Sequence, residues 1–332
     1  MLPIIRTEEI QAFYVLETPR GKKIIKAVNG INVTIPETTI YGVAGESGCG
    51  KSTFLKVLLG NLEPPLRHFG GRVLYRVDGE YLDVLALPGT KQQKLRWTYI
   101  SYIPQGSMSV FNPVAKLRAT FLDFLKSHVP GKMRRELLHL AEERLARLGL
   151  SPRILDVYPH QLSGGMRQRV AIALAVLLNP RVILADEPTT ALDVVAQRAV
   201  LQLLSDIQRE LRNTVVLVTH DMGVHATVTT RMAIMYAGRI VEEGQTQDIF
   251  FTPLHPYTRY LIRSLPRIGD KRLRESAPGS PPSLAQLPLG CSFHPRCPFA
   301  FERCRQEVPE LEEVGEQKVA CFLKRASHVT TS

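Results

Sequence analysis

A glycine-rich segment, Gly45-Glu46-Ser47-Gly48-Cys49-Gly50-Lys51-Ser52, constrains the fold more than any other feature of the sequence. It follows a short apolar run, residues 40–44, and precedes a helix-forming run, residues 53–59. Strand, glycine loop and helix in this order are typical of a phosphate-binding loop, where backbone N–H groups and a helix N-terminus surround a phosphate chain. We therefore predict a nucleoside triphosphate site, with Lys51 near the phosphates and Ser52 on Mg²⁺.

Length and composition set the broad class of the protein. A chain of 332 residues with 44% apolar and 22% charged residues can bury a sizeable core and has room for about two domains. Its longest apolar stretch, residues 170–178, is far shorter than the roughly 20 residues that cross a bilayer. Charges within residues 1–9 do not suit a signal peptide, so we expect a cytoplasmic protein. The net charge of +11 admits nucleic acid, an anionic membrane or an acidic partner, although spread basic residues favour a solvated surface.

The region before and just after the glycine loop is predicted to be β-rich. Residues 4–15 and 27–35 alternate apolar and polar side chains, which indicates an antiparallel hairpin, and residues 72–77 add a strand to the same layer. Phe13 and Tyr14 lie on the first strand. Packing is the ordinary role for both rings, but either could stack on an adenine.

The middle of the chain changes to a helical pattern. A β-rich run from residue 98 ends at Gln105, where a polar side chain could reach the phosphates. Residues 133–150 have apolar positions at helical spacing, which predicts an amphipathic helix. The segment Ser163-Gly164-Gly165 then precedes an uninterrupted helical run, so its N–H groups and hydroxyl form a second candidate anion site.

Three further candidates follow the strands and loops of the second half. The apolar strand 181–185 ends in Asp186 and Glu187, and carboxylates in this position can hold Mg²⁺ and polarise a water. Asp193 begins the predicted helix 194–211. His220 follows the strand 214–219, and the order of motifs suggests that it reaches the γ-phosphate.

Four of the five cysteines, Cys291, Cys297, Cys304 and Cys321, lie close together in the C-terminal part of the sequence. Disulfides are disfavoured in a reducing cytoplasm, so their grouping suggests a metal site. The pattern C-x5-C-x6-C-x16-C lacks the tight C-x2-4-C pair of most zinc sites. We favour an iron–sulfur cluster and keep zinc, or free thiols, as alternatives.

The order of these motifs resembles the ATP-binding subunit of ABC transporters over roughly residues 4–250. The Leu162-Ser163-Gly164-Gly165 sequence in front of the Asp186-Glu187 strand is specific to this branch of P-loop proteins. The segments 44–52, 255–258 and 290–298 are further similar to the dipeptide and oligopeptide importer subfamily. Some members of that subfamily bind a [4Fe-4S] cluster in a cysteine-rich C-terminal extension.

The resemblance implies an α/β P-loop NTPase core with an antiparallel β subdomain, an inserted helical subdomain and a small metal-binding C-terminal extension. We expect an ATPase domain at 1–265, with its helical insertion at about 111–165, and a linker and extension at 266–332. It also implies catalytic roles for Glu187, His220 and Gln105, and Mg²⁺ contacts from Ser52, Gln105 and Asp186. The whole set expected to contact ATP is Tyr14 (or Phe13), Gly45, Ser47, Gly48, Cys49, Gly50, Lys51, Ser52, Thr53, Gln105, Ser163, Gly164, Gly165, Asp186 and Asp193.

The partners implied by the resemblance are a second ATPase subunit, two membrane permease subunits and, indirectly, an extracytoplasmic solute-binding protein. The second ATPase would be a paralogue or a copy of this chain, and its Leu-Ser-Gly-Gly segment would cover the ATP held by the first. The protein would then lie on the cytoplasmic face of the membrane and power uptake of peptides, sugars or nickel. An ATPase of the same core acting on nucleic acid or ribosomes is the alternative, although we expect no nucleic acid partner.

Overall fold

The computed structural model describes residues 2–19, 21–106, 110–265 and 277–323. The chain divides into two compact units, one formed by Met1–Gln92 with Val216–Ser332 and the other by Gln93–Val215. The predicted domain boundary at 265/266 and the start of the predicted linker lie outside the described residues. Those domain boundaries therefore stay predictions.

The strands of the described residues are β1 (Pro3–Thr18), β2 (Gly21–Pro36), β3 (Ile40–Ala44), β4 (Leu66–Val77), β5 (Glu80–Asp83), β6 (Ile100–Ile103), β7 (Val182–Asp186), β8 (Thr214–Val218), β9 (Arg231–Tyr236), β10 (Arg239–Gln245), β11 (Glu312–Val314) and β12 (Gln317–Val319). The helices are α1 (Lys51–Leu58), α2 (Gly89–Leu95), α3 (Leu117–His128), α4 (Arg134–Arg147), α5 (Gly164–Ala175), α6 (Val194–Leu211), α7 (Met222–Val228), α8 (Thr246–Phe251), α9 (Pro256–Arg263) and α10 (Glu302–Gln306). None of the helices in the described ranges combines the length and the apolar character that a membrane span requires.

An antiparallel sheet in the order β2-β1-β4-β5 forms one layer of the first unit. The alternating pattern of β2 buries Ile31, Val33 and Ile35. Strand β1 also buries Ile5 and Ile10, although a register shift between Thr7 and Ile10 interrupts its alternation. The two strands pair as the predicted hairpin, which is confirmed. The predicted third strand is confirmed as β4, which pairs with β1 but begins at Leu66, before the predicted start.

The second sheet region of this unit carries the glycine loop. Strand β3 is buried along its whole length and pairs in parallel with β9, and β9 and β10 form an antiparallel hairpin. Strand β12 pairs with β10 at Glu242↔Val319, and β11 pairs with β12. The C-terminal strands therefore extend the sheet that carries the glycine loop.

The second unit has a helical core beside the parallel pair β6 and β7. Side chains from α3, α4 and α5 meet in one apolar cluster, and the predicted amphipathic helix is confirmed as α4. Its residues Leu137, Ala141 and Leu145 recur every four positions and are buried, because this spacing keeps them on one face of a helix. Leu138 and Leu140 of α4 are partly buried and pack against the same cluster.

Two valines on opposite sides of burial, Val195 and Val200, test which face of α6 stabilises the second unit. The side chain of Val200 is 0% exposed, whereas that of Val195 is 80% exposed on the same helix. We expect Val200→Ala to lower the free energy of unfolding by about 2 kcal/mol, because it removes buried methyl groups and leaves a cavity. Val195→Ala should change it by less than about 0.5 kcal/mol. Chemical unfolding of both variants of the full chain measures the difference, and equal effects would contradict the assigned faces.

Candidate nucleotide-binding site

The glycine loop connects β3 to α1 through backbone conformations that only glycine adopts readily. Gly45 and Gly50 have φ angles of 154° and 113°. A Cβ atom on Gly45 would lie 2.2 Å from the Met235 carbonyl oxygen, and one on Gly50 would lie 2.0 Å from that of Ala27. Neighbouring strands therefore press on the loop so closely that no side chain fits at either position.

Lys51 is the first residue of α1 and its ammonium group lies inside the loop. The side chain is only 6% exposed. Its Nζ donates hydrogen bonds to the carbonyl oxygens of Gly45 and Glu46 at 2.7 and 2.9 Å. These acceptors offset the cost of burying the charge and hold the ammonium where a phosphate chain in the loop would meet it.

The other loop residues divide between the tip and the interior. Ser47 and Gly48 are exposed at the tip, Ser52 and Gly50 are partly buried, and Thr53 is buried. Cys49 is buried, with its Sγ 3.8 Å from the Lys51 Nζ, and burial raises the pKa of its thiol. The Cys49 thiol therefore stays protonated and needs no redox role.

The two aromatic residues proposed for adenine stacking have different surroundings. The Phe13 ring is buried and packs on Phe69 with 4.6 Å between ring centroids. Tyr14 is partly buried, and its hydroxyl lies 3.1 Å from the Thr53 Oγ1 at the start of α1. Packing occupies Phe13, and Tyr14 is the ring adjacent to the glycine loop. Adenine stacking by Tyr14 stays a prediction.

Glu46 is held by two residues that sequence reasoning did not assign to the site. Its carboxylate accepts two hydrogen bonds from the Arg296 guanidinium, at 2.7 and 2.9 Å, and its N–H donates to the Tyr257 hydroxyl at 2.8 Å. Tyr257 and Arg296 lie in the segments 255–258 and 290–298, which are similar to the importer subfamily. No local pattern relates them to Glu46, since Arg296 is 250 positions away.

His220 is the remaining candidate in the first unit. It is exposed and lies two residues after the end of β8, which stops at Val218, one residue before the predicted end of the strand. The adjacent Asp221 accepts hydrogen bonds from the N–H groups of Gly223 and Val224 and so caps α7. The cap orders the turn that carries His220, and its contact with a γ-phosphate stays a prediction.

In the second unit, the register of β6 and β7 places polar residues at one sheet edge. Ile103 pairs with Ala185, so Asp186, the last residue of β7, lies next to the segment that continues from β6 to Gln105. Asp186 is buried, and its Oδ2 accepts a hydrogen bond of 2.9 Å from the Tyr102 hydroxyl. Burial and the Asp186 charge raise the pKa of Tyr102, so this hydroxyl remains a donor. Gln105 lies two residues after the end of β6 and is exposed.

Glu187 adopts a backbone conformation that is uncommon for a glutamate. Its φ angle is 47°, in the left-handed region. The Thr190 hydroxyl donates a 2.7 Å hydrogen bond to the Glu187 Oε2, and the Thr190 N–H donates to the Glu187 carbonyl oxygen at 3.1 Å. Such strained residues cluster at functional sites. The turn therefore orients the side chain predicted to act on water.

The second candidate anion site lies at the N-terminus of α5. The Ser163 hydroxyl accepts a hydrogen bond from the Met166 N–H and caps the helix. A Cβ atom on Gly165 would lie 2.8 Å from that of Ala196, so glycine permits the close approach of α5 and α6. Asp193 is exposed and caps α6 through the Ala196 N–H at 2.8 Å. Gly164 is partly buried beside Leu192. Nucleotide contacts of these four residues stay predictions.

The four clustered cysteines line one small cavity together with His255 and His294. All four are free thiols, and burial raises the pKa of the Cys291, Cys297 and Cys321 thiols. Within residues 2–19, 21–106, 110–265 and 277–323, no three His, Cys, Asp or Glu side chains are arranged to hold a metal ion. The predicted grouping is present, but the thiols do not form a ready metal site, and the predicted cluster is unsupported.

Comparison with known proteins gives the family. Residues 28–190 match the model described as "ABC transporter", and residues 241–304 match "Oligopeptide/dipeptide transporter, C-terminal region". The chain is 42% identical to the dipeptide transport ATP-binding protein DppD of Caldanaerobacter subterraneus, over 96% of this chain and 97% of that one. The chain belongs to the ABC transporter family. It is therefore an ATPase with the P-loop NTPase fold of that family.

Further relatives and solved structures agree with this assignment. The oligopeptide transport ATP-binding protein OppD of Salmonella typhimurium is 38% identical over 92% of this chain and 90% of its own. The ATP-binding cassette MJ0796, solved as a dimer bound to ADP and Pi, is 30% identical with a TM-score of 0.61, over 73% of this chain and 98% of its own. CbiO1 of Clostridium perfringens, part of the ABC transporter complex cbiONQ, is 26% identical with a TM-score of 0.60, over 76% and 92%. ATP and Mg²⁺ are the ligands expected for this ABC ATPase.

The packing around the glycine loop of this ABC ATPase gives a sharp test. Gly50→Ala should destabilise the protein strongly, because its Cβ would overlap the Ala27 carbonyl oxygen. Gly48→Ala should cost only about 1–2 kcal/mol, the ordinary penalty of a left-handed alanine, since nothing lies within 4 Å of that position. Thermal unfolding without nucleotide compares the two variants. Equal stability losses would show that the loop does not pack as described.

Proposed function

We propose that the chain is the ATP-hydrolysing subunit of an importer for dipeptides or oligopeptides. The observation that carries the proposal is that the likeness to transport ATPases runs over nearly the whole chain. It includes the C-terminal region at 241–304, beyond the ATPase core shared by ABC proteins of many functions. Sugars and nickel remain alternative solutes within this proposal, because partner subunits would select the solute.

The residues of the site take the following roles in this proposal. Lys51 and the loop N–H groups hold the β- and γ-phosphates, Ser52, Gln105 and Asp186 hold Mg²⁺, and Tyr14 stacks on adenine. Mg²⁺ neutralises charge that develops on the transferring phosphate. Glu187 accepts a proton from the attacking water as a general base, and His220 contacts the γ-phosphate.

Two chains would cooperate in each hydrolytic event. We propose that the segment 163–165 of one ATPase subunit covers the ATP held by the glycine loop of the other, which is a paralogue or a second copy. Closure of such a pair excludes water from the phosphates and moves docked permease subunits. The pair would then lie on the cytoplasmic face of the membrane, and a solute-binding protein would deliver the solute from outside.

An ATPase that acts on nucleic acid or ribosomes was the alternative from sequence. The relatives identified above are named as transport proteins, and one family model matches a transporter C-terminal region. The importer function is therefore preferred over this alternative. The net charge of +11 does not reverse that preference, because basic residues also suit an anionic membrane surface.

Replacement of the proposed general base tests the ATPase mechanism. Glu187→Gln should leave ATP binding intact, lower the turnover rate by about 100-fold or more, and trap a dimer with bound ATP. Glu143→Gln is a matched control, because Glu143 lies in the same unit and pairs with Arg147 on the exposed face of α4. Turnover, ATP affinity and light scattering are measured for both. A monomeric Glu187→Gln protein with normal turnover would refute the assigned role.

The same variant tests the transport function in cells. A strain that lacks this chain should lose uptake of labelled dipeptides and oligopeptides, and wild type or Glu143→Gln should restore it, whereas Glu187→Gln should not. Retained peptide uptake with lost sugar or nickel uptake would redirect the solute assignment. Unchanged uptake of all three solutes would refute the importer function.

We also propose that Cys291, Cys297, Cys304 and Cys321 bind an iron–sulfur cluster, with zinc as the alternative. The support is the donor set itself, four thiols around one cavity. As described, the thiols are not arranged to hold a metal, so binding requires the side chains to come closer together.

Metal analysis of the anaerobically purified protein tests this proposal. A cluster should give absorption at about 400 nm together with iron and sulfide, all lost in Cys297→Ser and retained in the control Cys49→Ser. Stoichiometric zinc without colour would replace the cluster by a zinc site. Neither metal in the wild-type protein would show that the four cysteines are structural thiols.

A further inference from the structure

We propose that Arg296 is a positioning residue for the nucleotide-binding loop. It lies in the cysteine-rich segment, residues 291–321, which contains the four clustered cysteines. Through it, the conformation of that segment sets the affinity for ATP. The inference rests on the proposed ATPase function and adds a residue and a form of regulation to the same site. It follows from contacts made by described residues of the first unit.

Arg296 and Glu46 form a two-point ion pair. Arg296 Nη1 and Nη2 donate to the two carboxylate oxygens of Glu46 at 2.7 and 2.9 Å, a two-point contact that fixes both planes. The Arg296 side chain is 6% exposed, whereas that of Glu46 is 28% exposed. A buried arginine in such a pair becomes costly if its partner is lost, so the contact is a strong constraint on the loop.

The backbone of Glu46 connects this ion pair to Lys51. Its N–H donates to the Tyr257 hydroxyl, while its carbonyl oxygen accepts from the Lys51 Nζ. The residue that Arg296 holds is thus one of the two that hold the phosphate-binding lysine. Any shift of Glu46 moves a carbonyl oxygen that orients the ammonium, so the effect reaches the phosphate site.

Arg296 lies between two of the clustered cysteines. Arg296 ends a short 3-10 turn, His294–Arg296, that lies between Cys291 and Cys297. Its Nε donates to the Pro278 carbonyl oxygen at 2.8 Å, and the Tyr236 hydroxyl lies 3.3 Å from its Nη1. A movement of these cysteines therefore also moves the backbone of Arg296.

The same segment also packs against Tyr257, whose hydroxyl accepts the hydrogen bond from the Glu46 N–H. The rings of Tyr236 and Tyr257 both pack on Phe293, at 5.3 and 5.5 Å between centroids, and Phe293 is buried. His255 caps α9 by accepting from the Tyr257 N–H at 3.0 Å, and burial lowers the pKa of His255 to about 3, so the ring stays neutral. Both groups that hold Glu46 therefore depend on residues 291–297.

Titration of ATP with Mg²⁺ into the full-length protein, followed by calorimetry, tests the inference. Arg296→Gln and Glu46→Gln should each weaken ATP binding by about fivefold to 150-fold, the usual range of coupling between sites. The double variant should bind no more weakly than either single variant, because both remove one interaction. In steady-state assays the KM for ATP should rise while kcat at saturation changes little.

Arg303→Gln is the matched control, because Arg303 lies in the same segment but forms an exposed ion pair with Glu307. It should bind ATP as wild type does. Alkylation of the four clustered cysteines, done in Cys49→Ser protein because Cys49 lies in the loop itself, should weaken ATP binding but have little further effect once Arg296→Gln is added. If Arg296→Gln does not fold, Glu46→Gln and alkylation of Cys49→Ser carry the test.

The outcomes separate this inference from the proposed function. Wild-type ATP affinity in Arg296→Gln or Glu46→Gln, or full additivity of the two changes, would overturn the positioning role and leave the ATPase function standing. Equal weakening by Arg303→Gln would also overturn it, since the effect would then not be specific to the loop contact. No ATP binding by the wild-type protein would instead overturn the proposed function, and the inference with it.

Discussion

The nucleotide site depends on a buried cation held by backbone carbonyl groups. Moving the Lys51 ammonium out of water is costly unless acceptors replace the solvent, and the carbonyl oxygens of Gly45 and Glu46 do so. These oxygens face inward only because the loop follows conformations closed to most residues. Strands β2 and β9 enforce that path, since the carbonyl oxygens of Ala27 and Met235 occupy the space that a Cβ atom on Gly50 or Gly45 would need. A local motif thus rests on contacts from distant parts of the sequence.

Local periodicity predicted most elements that position the candidate residues, because each is decided by neighbouring side chains. The apolar run of β3 and the predicted helix 194–211, which is α6, are found where the sequence places them. The short strands β11 and β12 were not predicted, since three residues are too few for a pattern and their stability comes from pairing with β10. The Arg296–Glu46 contact was missed for the same reason: it links segments 250 positions apart.

The cysteine segment shows what residue spacing leaves undecided. Spacing predicts that four thiols lie in one region, and they do line one cavity, yet it does not determine the directions of the side chains. The segment is supported instead by the burial of Phe293 and by Arg296. Neutral thiols suit this apolar packing, because burial raises the pKa of three of them. Four thiolates would need a cation, so metal binding and thiol ionisation must occur together.

Several predicted site residues in the second unit also stabilise helix ends. Ser163 and Asp193 cap α5 and α6, and these hydrogen bonds fix the loops in front of the two helices. Glu187 differs from these two capping residues, because its left-handed backbone conformation destabilises the turn. The hydrogen bonds from Thr190 offset part of that cost. A residue needed only for the turn would be better as glycine, which adopts this conformation without strain. The carboxylate is therefore retained at an energetic cost, which supports a chemical role for Glu187 beyond the structure of the turn.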